Sequence, residues 1–336
     1  MSETTYEAER LSSGTYKIFA GVYNDFKSKA VDEYKFELEP LEYDEFINAV
    51  DKGYLQCIVL KENEIPTAFL VYTTSISESI ELNIIHCLGT EDEPTKVRLL
   101  AEKFLELTKV ERQNKVVSYP MLGHQAAFTP DMTRLGFKCI NLAVLRFLMG
   151  NASSERILES VKPDELPEGY KITGYEEGYR EAAVNVIHEA FKDTQDALYD
   201  TRYKTLDGTR DIINKVVDGI YGEFLPEVTS VLLYNDSPVG FVFANITGGK
   251  IANIPLVAID KKHRGHGFSE NLLSRSIKMI VDWTKIGKQV FSEVNVTTET
   301  NNYKALKLYR KIGFREDFCY PQAYLTIRNL IQKVEK

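Results

Sequence analysis

Two phrases carry the residues whose types and spacing could do chemistry. The first runs Val257-Ala258-Ile259-Asp260-Lys261-Lys262-His263-Arg264-Gly265-His266-Gly267-Phe268-Ser269. A short apolar run ends in a basic, glycine-bearing turn, and a helical pattern begins behind it. A helix start presents backbone N–H groups without intrahelical partners at the positive end of the dipole, which suits an anion. Gly265 and Gly267 allow close backbone approach, and Arg264 adds a planar cation suited to phosphate. Alone, these residues fit an ordinary basic surface loop equally well. The second phrase is Asn302-Tyr303-Lys304-Ala305-Leu306-Lys307-Leu308-Tyr309-Arg310-Lys311-Ile312-Gly313-Phe314.

The elements that must position these phrases are legible around them. Residues 255–259 are apolar and long enough for a buried strand. Leu272, Leu273, Ile277, Ile280 and Val281 mark one face of a helix over about 269–284. A strand near 289–296 and a helix over 302–311 follow. Upstream, helices are expected near 177–192 and 208–221, and a strand over 228–234. Residues 239–246, Gly248-Gly249 and 251–259 read as a hairpin, and a last strand is expected near 318–327.

The first half has the same order. After a lead-in over 1–16 come helices near 22–32 and 41–52 and strands near 55–60, 67–73 and 80–88. A helix near 95–108, a strand near 116–119, a short helix near 127–133 and a strand near 139–148 complete it. Pro66-Thr67-Ala68-Phe69 falls where Pro238-Val239-Gly240-Phe241 falls, and Leu135-Gly136-Phe137 matches Ile312-Gly313-Phe314. The halves read as an internal duplication. The domains expected are 1–149, a linker at 150–169 with a short helix around 156–161, and 170–336.

Together the two phrases resemble the GNAT superfamily of N-acetyltransferases. The family pattern Arg/Gln-x-x-Gly-x-Gly/Ala reads here Arg264-x-x-Gly267-x-Ser269, with serine as the departure. The pattern Asn-x-x-Ala-x-x-Leu-Tyr-x-x-x-Gly-Phe is met at Asn302, Ala305, Leu308, Tyr309, Gly313 and Phe314. The resemblance implies an α/β (α+β) fold of two GNAT-like domains. Each would have a mixed, mostly antiparallel central sheet flanked by helices. It also implies acetyl-CoA as cofactor. Val257, Ala258 and Ile259 would pair with the pantetheine arm as a strand adds to an open edge. The stretch Arg264, Gly265, His266, Gly267, Phe268 and Ser269 would hold the pyrophosphate. Asn302 would contact pantetheine or simply cap its helix. Lys261, Lys262 and Lys304 are candidates for the 3′-phosphate, or are solvated lysines.

Transfer to a lysine-like amine, with a pKa of about 10.4, requires a deprotonation that costs about 4–5 kcal/mol at neutral pH. By resemblance, Tyr309 would serve the leaving thiolate, the alternative being a tyrosine packed in the core. The base is not readable: Glu293, on the strand after the long helix, is the candidate taken, with Glu223 and Glu299 as others. In the family, the region equivalent to residues 193–210, which carries Tyr199, Tyr203 and several acids, lines the acceptor site. The acceptor expected is a small-molecule amine or a peptide N-terminus.

The first half lacks this equipment. Opposite Lys262, Arg264, Gly265 and Gly267 it has Glu91, Asp92, Glu93 and Pro94, which repel an anion and remove a donor. Met132 stands where Tyr309 stands. A degenerate, catalytically silent N-terminal copy is therefore expected. The rival class is a non-catalytic acyl-CoA-binding or sensing module, in which the anion loop survives without a base. A P-loop NTPase is excluded by the absence of Gly-x4-Gly-Lys-Ser/Thr.

The whole-chain bounds agree. The chain has 336 residues, 43% hydrophobic and 27% charged, which suits two globular domains. A net charge of −8 argues against nucleic-acid partners. No apolar run long enough to span a membrane and no signal-peptide core are read, so a cytoplasmic protein is expected. Cys57, Cys87, Cys139 and Cys319 stand singly, and no Cys/His cluster suggests a metal. Cys57, Cys87 and Cys139 fall in apolar, strand-like runs and are expected as reduced core residues. The assembly expected is a monomer with pseudo-dimeric halves or a homodimer.

Overall fold

The computed structural model describes residues 4–37, 39–74, 79–161 and 166–326. Residues 162–165 of the expected linker and the expected strand end at 327 lie outside them. The chain divides into two compact units. The first takes residues up to Ile140, Leu198–Asp200 and those from Tyr320 onward; the second takes Asn141–Ala197 and Thr201–Cys319.

The first unit is a mixed, mostly antiparallel sheet. Its opening strand, β1 (Tyr6–Arg10), falls inside the expected lead-in, because Glu7, Glu9 and Arg10 hide its alternation. It pairs with β2 (Gln56–Glu62), and Glu9 meets Lys61 at 2.5 Å. Two antiparallel strands follow, β3 (Ile65–Thr73) and β4 (Ser79–Cys87), and β5 (Val116–Pro120) runs parallel to β4. The run Cys57–Leu60 is apolar throughout because both faces of β2 are covered. Cys57 and Val59 pack with Phe19, Val22 and Phe26 of α1 (Tyr16–Lys29) and Phe46 of α2 (Tyr43–Asp51). Ile58 and Leu60 pack with Val97, Leu100 and Phe104 of α3 (Glu93–Leu107) and Met132 of α4 (Thr129–Arg134).

The second unit opens with most of β6 (Lys138–Leu148) and α5 (Ala152–Ser160), whose first turn is capped by Asn151 Oδ1 accepting from Ser153 and Ser154. Then come β7 (Tyr170–Thr173), α6 (Arg180–Phe191), α7 (Asp196–Tyr199) and α8 (Leu206–Val217). Five short strands follow: β8 (Glu223–Phe224), β9 (Ser230–Tyr234), β10 (Ser237–Val242), β11 (Asn245–Gly248) and β12 (Ile251–Asn253). Next is β13 (Val257–Ile259), which leads into the long α9 (Phe268–Ile286). The chain then runs through β14 (Glu293–Glu299), α10 (Tyr303–Ile312) and β15 (Arg315–Leu325). The predicted face of α9, Leu272, Leu273, Ile277, Ile280 and Val281, is buried. Gly313 ends α10 at φ +108, and a Cβ there would stand 2.7 Å from Ser154 O, so the Gly-Phe pair is a packing requirement.

Each unit borrows a strand from the far part of the chain. Tyr324 and Leu325 of β15 pair with Ser118 and Val117 of β5 in the first unit. Leu142–Leu148 of β6 pair along all of β14 in the second. Cys57 and Cys87 are buried, but Cys139 is exposed, because β6 enters the core only from Leu142 onward; Cys319 is exposed too.

Candidate active site

The site lies where two expected strands each break in two. The hairpin read over 239–246 and 251–259 is resolved into four strands in two sheets. β10 and β13 belong to a four-stranded sheet in the order β13-β10-β9-β7, while β11 and β12 join β14 and β8 in the other. The cause is local. Ile254 N–H still donates to Asn295 O at 3.0 Å, continuing the parallel pairing of β12 with β14. Pro255 has no N–H and cannot extend that ladder. The chain turns instead to β10, with Phe243 N–H donating to Leu256 O at 2.9 Å. β13 and β14 therefore diverge. β13 is left as the terminal strand of its sheet, with one edge open for hydrogen bonds.

The gap is a cleft of about 480 Å3. Val257, Ala258 and Ile259 line it from β13, Arg264 and Ser269 from the loop and start of α9, and Glu299 and Asn302 from the end of β14 and its turn. The turn after α6 supplies Asp193, Thr194 and Asp196.

The loop is built to present backbone donors. Gly265 and Gly267 sit at φ +91 and +79, where a Cβ costs about 1–2 kcal/mol. Gly267 is the N-cap of α9, and Glu270 N–H closes the first turn on its carbonyl at 2.8 Å. The N–H groups of the opening turn have no intrahelical acceptor and lie at the positive end of the helix. Arg264 Nε donates to Ile259 O at 2.8 Å, which fixes the guanidinium beside β13. Aromatic packing braces the loop from behind. His266 stacks on Phe268, Phe268 lies against Tyr170 of β7 at 4.5 Å between ring centroids, and Tyr170 Oη meets His263 Nδ1 at 2.7 Å. Sequence reasoning did not single out Tyr170, because it follows directly on the polar linker. Asn302 caps its helix, with Oδ1 accepting from Ala305 N–H at 3.2 Å, and the residue also lines the cleft.

The titrating groups sort differently from the order in which sequence ranked them. Glu293 is buried on β14, and its Oε1 accepts from Arg146 Nη1 of β6 at 2.6 Å, while Arg146 Nε lies 2.8 Å from Asp317. It is committed to an ion pair and does not line the cleft. Glu223 stands exposed on β8. Glu299 does line the cleft, and its carboxyl is raised above the usual value, first by burial and then by the charge of Asp196. Tyr309 is buried behind the residues that line the cleft and is not itself among them, and its phenol is pushed up to about 12, again by burial first and Asp196 second. Asp196 thus acts on both groups. Its carboxylate lies 3.1 Å from Thr194 Oγ1, whose single O–H is shared with Phe191 O at 2.8 Å, which ties the turn to the end of α6. The sequence signal for it was the pair Asp193 and Asp196 just past a helix end.

This cleft, loop and helix belong to a known pattern. A family model described as an acetyltransferase (GNAT) domain matches residues 226–316. A GCN5-related N-acetyltransferase from Sphaerobacter thermophilus superposes with a TM-score of 0.61 at 15% identity, covering 96% of this chain and 96% of that one. A tandem GNAT protein from the clavulanic acid biosynthesis pathway does so with a TM-score of 0.56 at 11% identity, covering 96% and 99%. Residues 226–316 thus match a GNAT acetyltransferase domain, and nearly the whole chain shares the fold of GNAT proteins. A search of curated proteins by sequence finds no match.

The segment of the first unit that precedes its long helix has the reverse chemistry. Asp92 caps α3 in the left-handed region and Glu93 opens the helix, where it meets His124 Nε2 at 2.7 Å. Carboxylates stand here, whereas the start of α9 in the second unit has open backbone donors. Met132 is buried in the core. Among the described residues no cluster of His, Cys, Asp and Glu could hold a metal, and no helix is long and apolar enough to cross a membrane.

Proposed function

We propose that the second unit is an acetyl-CoA-dependent N-acyltransferase that moves an acetyl group directly to a primary amine. One observation carries this reading: the open edge of β13, the donor-rich start of α9 and the carboxyl of Glu299 all face a single cleft. When bound, acetyl-CoA would supply the acyl thioester. The backbone of Val257–Ile259 fits an extended arm with amide groups, and the loop from Arg264 to Ser269 fits a pyrophosphate. Glu299 then replaces Glu293 as the base. Its raised pKa brings it nearer neutrality, where a base both ionises and accepts a proton effectively. It takes the proton that the acceptor ammonium must lose, directly or through one water. The amine nitrogen forms the new bond to the acyl carbon as the carbon–sulfur bond breaks. Tyr309, kept neutral by burial, directs its O–H toward the leaving sulfur. The first unit takes no part in the chemistry.

The carboxylates of Asp193, Asp196 and Glu299 favour a cationic acceptor, either a small amine or a peptide N-terminus. The unpaired thiols of Cys57, Cys87, Cys139 and Cys319 suit the reducing cytoplasm. The decisive experiment is thiol release from acetyl-CoA with a panel of amines and peptides, read beside acetyl-CoA binding. Amine-dependent release is expected. Binding without release for every acceptor would replace this reading with that of an acyl-CoA-binding module.

A further inference from the structure

The first unit holds a second cavity, of about 160 Å3, unrelated to the cleft above. Five aromatic rings line it, with aliphatic side chains between them: Tyr23 and Phe26 from α1, Phe46 from α2, Phe69 from β3, and Phe36 between the helices. One polar side chain joins them, Asn83 of β4. Tyr72 pairs with Leu82 and Val71 pairs with Ile84, so Asn83 is the extra residue of a β-bulge. Bulges re-aim a side chain and often stand beside functional sites. Here the side chain lines the cavity, and its Oδ1 is buried without a hydrogen-bond partner. Such a group in a folded protein calls for an explanation, and a missing donor is the simplest. The Tyr23 hydroxyl cannot be that donor, since it already donates to Leu41 O at 2.8 Å.

We propose that this cavity is a binding site for a small, neutral, one-ring molecule with a single hydrogen-bond donor, of the phenol class, whose donor Asn83 Oδ1 accepts. The size fits, because an apolar cavity of roughly 150 Å3 in another protein takes up benzene. The charge state follows from the walls. No carboxylate is among the described residues that line the cavity, so an ammonium group would shed its water with nothing to neutralise it. Leu41, which lines the cavity and is 45% exposed, marks the opening. The site is independent of the acyl-transfer reading and stands or falls without it.

The test is calorimetric titration of the full chain with phenol, benzene and benzylammonium. Phenol is expected to bind roughly fivefold more tightly than benzene, the value of one net hydrogen bond, and benzylammonium most weakly. Asn83→Leu should remove phenol's advantage while benzene still binds. Leu41→Trp, at an exposed position, should obstruct the opening and weaken both by about tenfold or more. The proposal is overturned if no probe binds the unaltered chain, if benzylammonium matches phenol, or if phenol keeps its preference in Asn83→Leu. Should Asn83→Leu fail to fold, the ranking of the three probes on the unaltered chain and the Leu41→Trp result decide the matter.

Discussion

Tyr309→Phe removes one oxygen from a buried ring on α10 and tests how the leaving sulfur is served. Burial, with Asp196 adding to it, holds the phenol at about 12, so it is neutral at physiological pH and can only donate. A thiol has a pKa of about 8.5. Complete transfer from a phenol at about 12 to such a thiolate would run uphill by roughly 3.5 units, or about 5 kcal/mol. The group therefore acts chiefly by hydrogen bonding to the developing negative charge, a contact worth about 1.5–3 kcal/mol. That corresponds to a loss of roughly 10- to 150-fold in kcat. The assay is continuous thiol release at saturating acetyl-CoA and amine, with acetyl-CoA affinity measured by calorimetry. Affinity should stay within about twofold, because the contact forms only as the thiolate develops. The pH profile should keep its shape below about pH 10, since a group at about 12 does not titrate there. Unchanged kcat, or a parallel collapse of acetyl-CoA affinity, would show that Tyr309 is only a packed ring.

Three further outcomes are expected. Glu299→Gln should lower kcat/KM by about 10²- to 10⁴-fold and abolish an acid limb that falls as pH drops through the raised carboxyl pKa, whereas Glu293→Gln should spare the chemistry and instead destabilise the second unit by removing the buried carboxylate that Arg146 shares with Asp317. Pre-steady-state transfer and thermal melting of both variants separate these effects, and the opposite pattern would restore Glu293 as the base. Truncation before Tyr320 should strip β5 of its β15 partner and remove Ala323 and Leu325 from the core, so hydrogen exchange at Val117–Tyr119 should rise sharply; retained protection there would refute the borrowed strand. His86 is buried, meets Tyr34 Oη at 2.7 Å, and is lowered to about 4, chiefly by burial, against about 6.5 unfolded. The unfolded chain thus binds the proton more readily, so the first unit should lose up to about 3 kcal/mol as pH falls from about 6.5 to 4. His86→Gln melting curves with an unaltered pH slope would remove His86 as the cause.

Much of the order of elements was legible, because it is written in local periodicity. The face of α9 could be read from Leu272 to Val281, and the anion loop from Arg264, Gly267 and Ser269. What resisted reading was long-range pairing. Nothing in residues 138–148 distinguishes a strand that ends its own domain from one that serves β14, and nothing in 320–325 reveals that β5 is its partner. Alternation states which face is buried, never by whom. β1 was missed for the converse reason: its neighbours compensate its charges through contacts such as Glu9 with Lys61, which sequence separation conceals.

The site shows the same division. The loop is a contiguous phrase, so its geometry follows from its own glycines and the helix behind it. The base is not contiguous with anything. Glu293 and Glu299 lie on one strand, yet the first sits where β14 is flanked by β12 and β6, and the second where the strand emerges beyond the point at which Pro255 turns the chain away. A buried carboxylate between two strands must find a cation, and Arg146 supplies it; a carboxylate at the mouth of the split is raised by burial and by the charge of Asp196, and is left basic. The same proline that opens the cleft thereby decides which of the two glutamates is free to accept a proton.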